Sequence, residues 1–437
     1  MAMNRVTKLF QPTAPIPKSL QNSQIIKSQR MMLEQGVIRA TSTGLYTLLP
    51  LGMRALKKLE NIVDRRMEQI GAQKILLPTL TSDKLWEQSG RLAEAKAGSE
   101  LFLLEDRHKK RYILGPTHEE AMTELLAAGT RLSYRRLPLL LYQISNKYRD
   151  EPRPRYGLLR TREFVMKDLY SFDANEENAL KTYQSVTESY EKIFQELGVK
   201  YVRVEGDSGM MGGSMSHEFH YPCEAGEERI IQCNSCKLPS NASLLDIPTT
   251  SCPHCHSTDI STMPGIEVGH TFILGTRYSQ PMNATFIAAD KSMQSLIMGC
   301  YGLGLSRILA ASLEALSLPT ELRWPLAIAP YKACIITPKH GSKEEAASSL
   351  TQGLYDLIDC QPGFKNDVIV DDRSNLSIGR RLTEARRIGY PLIIVIGKKA
   401  IEDIPRFEVF DLNNNQEFDW TDGSVVARLK EYCAHHE

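Results

Sequence analysis

No stretch of 18 apolar residues occurs in the 437-residue chain, so no segment reads as a membrane-spanning helix. Net charge is nearly absent, because 53 Lys+Arg face 52 Asp+Glu and leave +1. A polyanionic partner would then be met by local basic patches rather than by an overall field. The cysteines do not form an even set: there are nine, and Cys233, Cys236, Cys252 and Cys255 fall in two CxxC pairs. That usage suits a reducing compartment better than a secreted disulfide framework. Internal repeats and low-complexity segments are missing, as is a P-loop GxxxxGK[ST]. HEEAM at 118–122 has no second histidine, and HEFHY at 217–221 spaces its histidines by three, which excludes a helical zinc-protease motif. One absence is local: residues 1–33 hold five Lys/Arg and no Asp or Glu, the composition of a transit-peptide remnant or of a floppy basic arm.

What remains, 42% hydrophobic and 24% charged residues, is ordinary for a globular enzyme of two or three domains. The composition divides the chain into the basic segment 1–33, a motif-rich block 34–325 with a small cysteine-bearing insert at 233–264, and a block 326–437. The last alternates apolar runs with amphipathic ones: ACIIT, SKEEAASSLTQGLYDLI, DVIVDD, SIGRRLTEARRIG, PLIIVIG and RFEVFDL. That βαβαββ order, closed by a helix from about Gly423, predicts a compact α/β domain with a mixed sheet.

NKYRDEPRPRYGLLRTREFVMKD, residues 146–168, packs five arginines around two prolines. Period-2 alternation in LLLYQISNKYRDE places Gln143, Ser145, Lys147, Arg149 and Glu151 on one face, and the return strand brings Arg160 near it. A solvated basic hairpin and an anion site both fit that pattern. Downstream, SLIMGCYGLGLSRILAASLEAL reads as strand, glycine turn and helix, with Gly302, Gly304 and Arg307 in a GxGxxR arrangement. Arginine at the sixth position disfavours a dinucleotide fingerprint. Two glycines let a phosphate chain approach the backbone, and an arginine in the first helical turn adds fixed charge; a plain strand-to-helix turn is the alternative. Upstream, LLPLGMRALKKLENIVDRRMEQIG gives an amphipathic helix with Leu56, Leu59, Val63, Met67 and Ile70 at helical spacing, ended by Gly71 and followed by a short strand before Pro78.

Together these segments resemble the three signature motifs of class II aminoacyl-tRNA synthetases. With GPTHEE, RDEPRPRYGLLRTREF, GGSMSHEF and GIEVGHTFILGTRYS, the chain resembles, over nearly its whole length, prolyl-tRNA synthetases of the bacterial and organellar type. The resemblance implies an antiparallel-sheet α+β catalytic domain followed by a mixed-sheet α/β anticodon-binding domain. It implies a ligase that joins L-proline to tRNA(Pro) with ATP and Mg²⁺. Arg149 would bridge the ATP α-phosphate and the proline carboxylate, Glu151 would take the adenine amino group, Arg160 and Thr161 would support the nucleotide, and Arg307 would hold the γ-phosphate. Thr117 and Glu119 match a loop that receives the proline ammonium, although Thr117 and Glu120 also spell a capping box. His217, and Glu267 with His270, lie in segments that line the proline and ATP site. Arg373 to Lys399 holds seven Lys/Arg against Glu384 alone. Its position in a C-terminal α/β domain of this family implies an anticodon-binding surface, with Asp371, Asp372, Arg373, Arg380, Arg381, Arg386 and Arg387 as candidates for tRNA contact and a solvated helix face as the alternative.

The spacing C-x2-C-x15-C-x2-C of Cys233, Cys236, Cys252 and Cys255 falls in the range of a structural Zn²⁺ site. The resemblance further implies a homodimer and a mitochondrial matrix location, with bacterial cytoplasm as the alternative. The short insert implies that no editing domain is present. Other readings are a relative specific for a different amino acid, a catalytically inert accessory subunit, and a zinc-ribbon nucleic-acid-binding module.

Overall fold

A computed structural model describes residues 3–15, 25–95, 100–206, 211–242 and 251–434. It divides into two compact units, one of residues 41–46 and 59–311, the other of residues 1–40, 47–58 and 312–437.

The first unit is built on a largely antiparallel sheet. Its strands run in the order Val202–Glu205, Met215–Pro222, Ile260–Gly275, Ile297–Gly304, Glu163–Asp173, Leu139–Tyr148 and Gln73–Lys74, and Glu228–Cys233 pairs beside Ile260–Gly275. Gln73–Lys74 alone joins in parallel, against Leu141 and Tyr142. Helix Glu176–Leu197 starts where the Asn175 side chain accepts the Asn178 amide and stops at left-handed Gly198. Tyr183, Val186, Tyr190, Ile193 and Phe194 recur at helical spacing and are buried, each contributing about 1.5–3 kcal/mol of apolar burial. Tyr190 and Phe194 meet Phe219 of the sheet.

The proline-rich loop is anchored from outside the sheet. Gly44 sits at φ +77°, and a Cβ there would come within 2.8 Å of the Pro154 side chain. Its carbonyl accepts the Arg162 amide at 2.9 Å, which ties the end of the loop down. The strand expected to run through Glu151 ends at Tyr148. Arg149 and Glu151 therefore belong to the loop rather than to a strand face, because Pro152 and Pro154 cannot donate to a ladder.

In the second unit, strands Val368–Asp371, Ala333–Ile336 and Leu392–Val395 are parallel, and Arg406–Asp411 and Gln416–Thr421 continue the sheet antiparallel. The α/β reading holds and gains one strand. QEFDWT was illegible as a strand because only Trp420 in it is buried, which leaves no alternation to detect. Helix Val425–Ala434 closes the unit.

Residues 3–15 are not a floppy arm. The Val370 amide donates to the Asn4 carbonyl at 2.9 Å, Asn4 Nδ2 donates to the Val368 carbonyl at 2.9 Å, and Arg5 bridges Val370 in parallel. Asp372 accepts Thr7 Oγ1 at 2.6 Å. The segment covers the edge strand of the sheet, whose backbone groups would otherwise be unpaired. Residues 16–24 of the basic segment lie outside the described residues, as do 243–250 of the insert.

Candidate active site

Registry places the site on the middle strands. Glu163–Asp173 pairs with Leu139–Tyr148 so that Gln143 faces Asp168, and with Ile297–Gly304 so that Gly302 faces Asp168. Asp168 is buried. It accepts Lys147 Nζ at 2.6 Å, Gln143 Nε2 at 3.0 Å and Tyr170 Oη at 2.9 Å. Gln143 and Lys147 are thus used inside the sheet, not offered to a ligand. Tyr170 Oη in turn accepts the His118 amide at 2.8 Å, which fixes the turn GPTHEE above this layer.

From that turn the chain enters helix Glu119–Ala127 with His118 at the N-cap and no side-chain cap bond. The capping-box reading of Thr117 and Glu120 is not realised. Thr117 Oγ1 lies 2.7 Å from both Glu119 oxygens, while Glu120 accepts Ser89 Oγ at 2.9 Å and Arg91 Nη1 at 3.2 Å. Glu119 and Glu120 are both fully buried. Cys300 Sγ donates to Glu119 Oε1 at 3.1 Å.

Arg149 follows the strand directly, its guanidinium 5.2 Å from the Phe164 ring centroid. Among the described residues it makes no ion pair. Burial, then the neighbouring Arg307, push its pKa down from the usual arginine value. A cation so placed is able to receive an anion. Arg160, by contrast, pairs with Glu151 at 2.7 Å and with Glu227 at 2.8 Å. Glu151 also accepts the Arg153 amide at 2.9 Å. Burial works to raise the Glu151 pKa, but Arg160 and that amide outweigh it and hold the carboxyl below its ordinary range. Thr161 is buried next to Arg160.

Arg307 sits in the first turn of helix Leu305–Leu316. Its Nε donates to the Leu159 carbonyl at 2.9 Å and its Nη1 to the Glu267 carbonyl at 3.1 Å, so backbone oxygens set its direction. Gly302 and Gly304 close the strand Ile297–Gly304 without an intervening loop. An added Cβ at Gly302 would find nothing nearer than 3.7 Å. Internal packing therefore does not require glycine at 302, and the space beside it is open. Glu267 pairs with His270 Nδ1 at 3.2 Å and with Arg307 at 3.5 Å. Burial opposes its ionisation, yet His270 and Arg307 hold its pKa at about 2. His270 stacks on Phe272 with centroids 3.9 Å apart, and its Nε2 reaches Ser216 Oγ at 3.2 Å. His217 lies on the neighbouring strand, its Nδ1 2.7 Å from Tyr183 Oη. Burial lowers its pKa, which keeps the ring neutral.

The four cysteine sulfurs lie within 4.8 Å of one another, with Cys233 and Cys236 paired to Cys255 and Cys252 at 3.6 Å each. A tetrahedral Zn²⁺ with Zn–S near 2.3 Å sets sulfurs about 3.8 Å apart, so the donor set fits. The Cys236 amide donates to Cys233 Sγ, and the His254 amide to Cys252 Sγ. Lys237 and His256, one after each pair, both take positive φ.

The C-terminal arginines divide. Arg380 and Arg387 are exposed, although Arg380 reaches Glu384 at 3.0 Å. Arg373 grips Asp371 through Nε at 2.9 Å and Nη2 at 2.6 Å, and also reaches Glu384. Arg386 pairs with Glu321 at 3.1 Å. Arg381 has no exposed surface and donates to Thr337 Oγ1, the Thr337 carbonyl and the Asp371 carbonyl. Asp371 and Arg381 are therefore used within the fold in this structure and do not face solvent. Asp372 accepts Thr7.

Sequence reasoning missed Arg91, Asp168, Glu218 and Cys300. Glu218 accepts His220 Nε2 at 2.8 Å and Asn241 Nδ2 at 2.9 Å and lies 4.0 Å from His270, linking the cysteine-bearing hairpin to the His270 side. Only the HEF motif around Glu218 carried any signal; the others look like ordinary strand or helix residues.

Residues 102–316 match the tRNA synthetase class II core domain (G, H, P, S and T), and residues 332–432 match the anticodon binding domain. The chain is 45% identical to a "Probable proline--tRNA ligase, mitochondrial" of Rattus norvegicus over 98% of this chain and 89% of that protein. It is 48% identical to the Homo sapiens protein of the same name over 89% and 82%, and 36% identical to the "Proline--tRNA ligase" of Ehrlichia ruminantium over 91% and 93%. Among solved structures, prolyl-tRNA synthetase from Cryptosporidium parvum complexed with L-proline and AMP superposes with a TM-score of 0.75 at 16% identity, covering 94% of this chain and 75% of that one. The Giardia lamblia prolyl-tRNA synthetase in complex with prolyl-adenylate gives 0.76 at 19%, covering 92% and 75%.

Proposed function

The chain belongs to the class II prolyl-tRNA synthetases, and from that premise we propose how its residues divide the work. The enzyme activates L-proline with ATP to prolyl-adenylate and transfers the prolyl group to tRNA(Pro). We assign catalysis to residues 34–325 and anticodon recognition to 326–437. A carboxylate is already a nucleophile, so positioning and charge neutralisation rather than a general base lower the barrier. The observation that carries the assignment is Arg149, a half-buried guanidinium without an ion-pair partner among the described residues. Its planar fork bridges the proline carboxylate and the α-phosphate. Arg307, aimed by two carbonyls, takes the γ-phosphate. Glu151 serves the adenine amino group, with Arg160 and Thr161 behind it. Thr117 and Glu119 receive the proline ammonium, and His217 packs as a neutral ring beside proline. Glu267, ionised beside His270 and Arg307, is the carboxylate that would hold Mg²⁺, which when bound would shield phosphate charge. Pyrophosphate exchange measured with each of the twenty amino acids should respond to proline. Exchange driven only by another amino acid, or by none, would overturn the reading.

We make four further assignments. The cysteine cluster holds one structural Zn²⁺; metal analysis of fresh protein well below one zinc per chain would refute it. Leu76, Leu80, Leu103 and Leu104 are exposed around the segment after Gln73–Lys74, and exposed apolar surface of that kind marks an interface. We assign it to a homodimer, which sedimentation of a single 49.2 kDa species at micromolar concentration would exclude. Where bacterial relatives carry a large editing insertion this chain has only the short stretch 233–264, from which we infer that proofreading in cis is absent; enzyme-dependent hydrolysis of alanyl-tRNA(Pro) would show otherwise. The mitochondrial names of the relatives support a matrix location, to be checked by protease protection of the full chain in isolated organelles.

A further inference from the structure

Arg91 belongs to none of the signature motifs, yet its side chain is buried between two fully buried carboxylates. Its Nη1 lies 3.1 Å from Glu119 Oε2 and 3.2 Å from Glu120 Oε1. The guanidinium is held from behind by the Trp86 ring, 4.4 Å from its centroid, and its Nη2 lies 3.6 Å from Met211 Sδ. We propose that Arg91 is a positioning residue of the proline site, the cation that holds the Glu119 carboxylate in place while Glu120 is buried beside it. The inference rests on Thr117 and Glu119 being the receptor of the proline ammonium.

Consecutive carboxylates at one helix start, both out of water, repel each other. With one cation between them both can ionise; without it one must take up a proton. Burial already raises the Glu120 pKa. For Arg91 burial works the other way, but the two glutamates outweigh it and hold the guanidinium charged. If Arg91 is lost, a proton shared by the pair spends part of its time on Glu119. That turns the acceptor of an ammonium into a neutral acid already occupied by Thr117 and Cys300. Lys167, whose pKa burial lowers to about 7, is held by Tyr190 Oη and the Tyr301 carbonyl rather than by the pair. Burial pushes the Tyr170, Tyr278 and Cys300 pKa values up and the His118 pKa down, and Asp168 is paired with Lys147.

The test is proline-dependent pyrophosphate exchange by the full chain between about pH 6 and pH 9. Arg91→Met should raise the KM for proline about tenfold or more at neutral pH while the KM for ATP moves less than about twofold. The proline KM should then recover as pH rises and Glu119 loses its proton, a rescue that a merely misfolded pocket would not give. Arg91→Met combined with Glu120→Gln removes the cation and the competing carboxylate together and should restore the neutral-pH KM. A proline KM that is raised but independent of pH, an equal rise in both KM values, or a double variant no better than the single one would each overturn the proposal. Should Arg91→Met fail to fold, Arg91→Lys keeps the charge and should show an intermediate KM with a weaker pH dependence, and a wild-type pH profile with a tenfold KM rise would count against it. Glu119→Gln separates the two levels. An unchanged proline KM there would sink the ammonium assignment itself, whereas a raised KM there with a pH-independent Arg91→Met would sink only the role of Arg91.

Discussion

The arginines of residues 149–162 and those of residues 373–387 look alike in sequence, and their electrostatic situations are opposite to what their neighbours in the chain suggest. The first group stands among Asp150, Glu151 and Glu163, yet the fold leaves Arg149 without an ion pair among the described residues. The second has Glu384 as its one acid, yet Arg373, Arg381 and Arg386 are satisfied by Asp371, by carbonyls and by Glu321. Charge counted along a chain does not give charge in space. A cation must be partly desolvated and unneutralised to be worth much to a transition state, and of these arginines Arg149 is the one so placed, half-buried and without an ion pair among the described residues.

Arg149→Ala offers the hardest test of this contrast: exchange should fall about 100-fold or more with the melting temperature unchanged. Arg149→Lys should fail as well, because a point charge cannot bridge two anions. Retention of a tenth of the exchange rate would remove Arg149 from the mechanism. Next in size is Arg381→Ala, which should destabilise the C-terminal unit by about 2 kcal/mol, since it strips three charge-assisted bonds, one of them from the buried Asp371 carbonyl. Unchanged melting would mean that the buried arginine is not structural. Arg380→Glu with Arg387→Glu, on the open face, should weaken tRNA charging several-fold with a steep salt dependence and leave proline-dependent exchange as it was. Equal loss of both activities would erase the distinction between the regions.

The smallest effect is a pH dependence. Glu267 has its pKa depressed to about 2 by His270 and Arg307, against roughly 4.3 for a free glutamate. It therefore contributes stability that is present above the unfolded value and is lost as pH falls toward 2. Glu267→Gln should abolish that acid-side loss in thermal melts between about pH 5 and pH 3, by less than about 1 kcal/mol because the side chain is about a third exposed. An identical slope in both proteins would contradict the pairing.

Legibility followed periodicity. Helix Pro50–Gln69 was readable because its apolar residues recur at helical spacing, and Leu56, Leu59, Val63 and Met67 are buried. Helix Ile378–Ile388 was readable between the Ser377 cap and Gly389. Gln416–Thr421 was not, because an edge strand with one buried side chain leaves no alternation. At the site, Arg307 and the glycines sit in a contiguous motif. Arg91 and Glu119 are 28 positions apart, and nothing local marks an arginine that will be buried.

The sequence by itself marked the sheet classes, because alternation is local, and through its motifs carried the resemblance to a family that names proline, ATP and tRNA as substrates, because motifs survive in a string of letters. Tertiary structure alone decided which cations are free. It removed Gln143 and Lys147 from the site by pairing them with Asp168, turned Arg381 inward, and drew residues 3–9 onto the edge of a sheet more than 350 positions away. Each of those outcomes follows from the cost of leaving a charge or a backbone group buried and unpaired, and that cost is set by neighbours that only folding supplies.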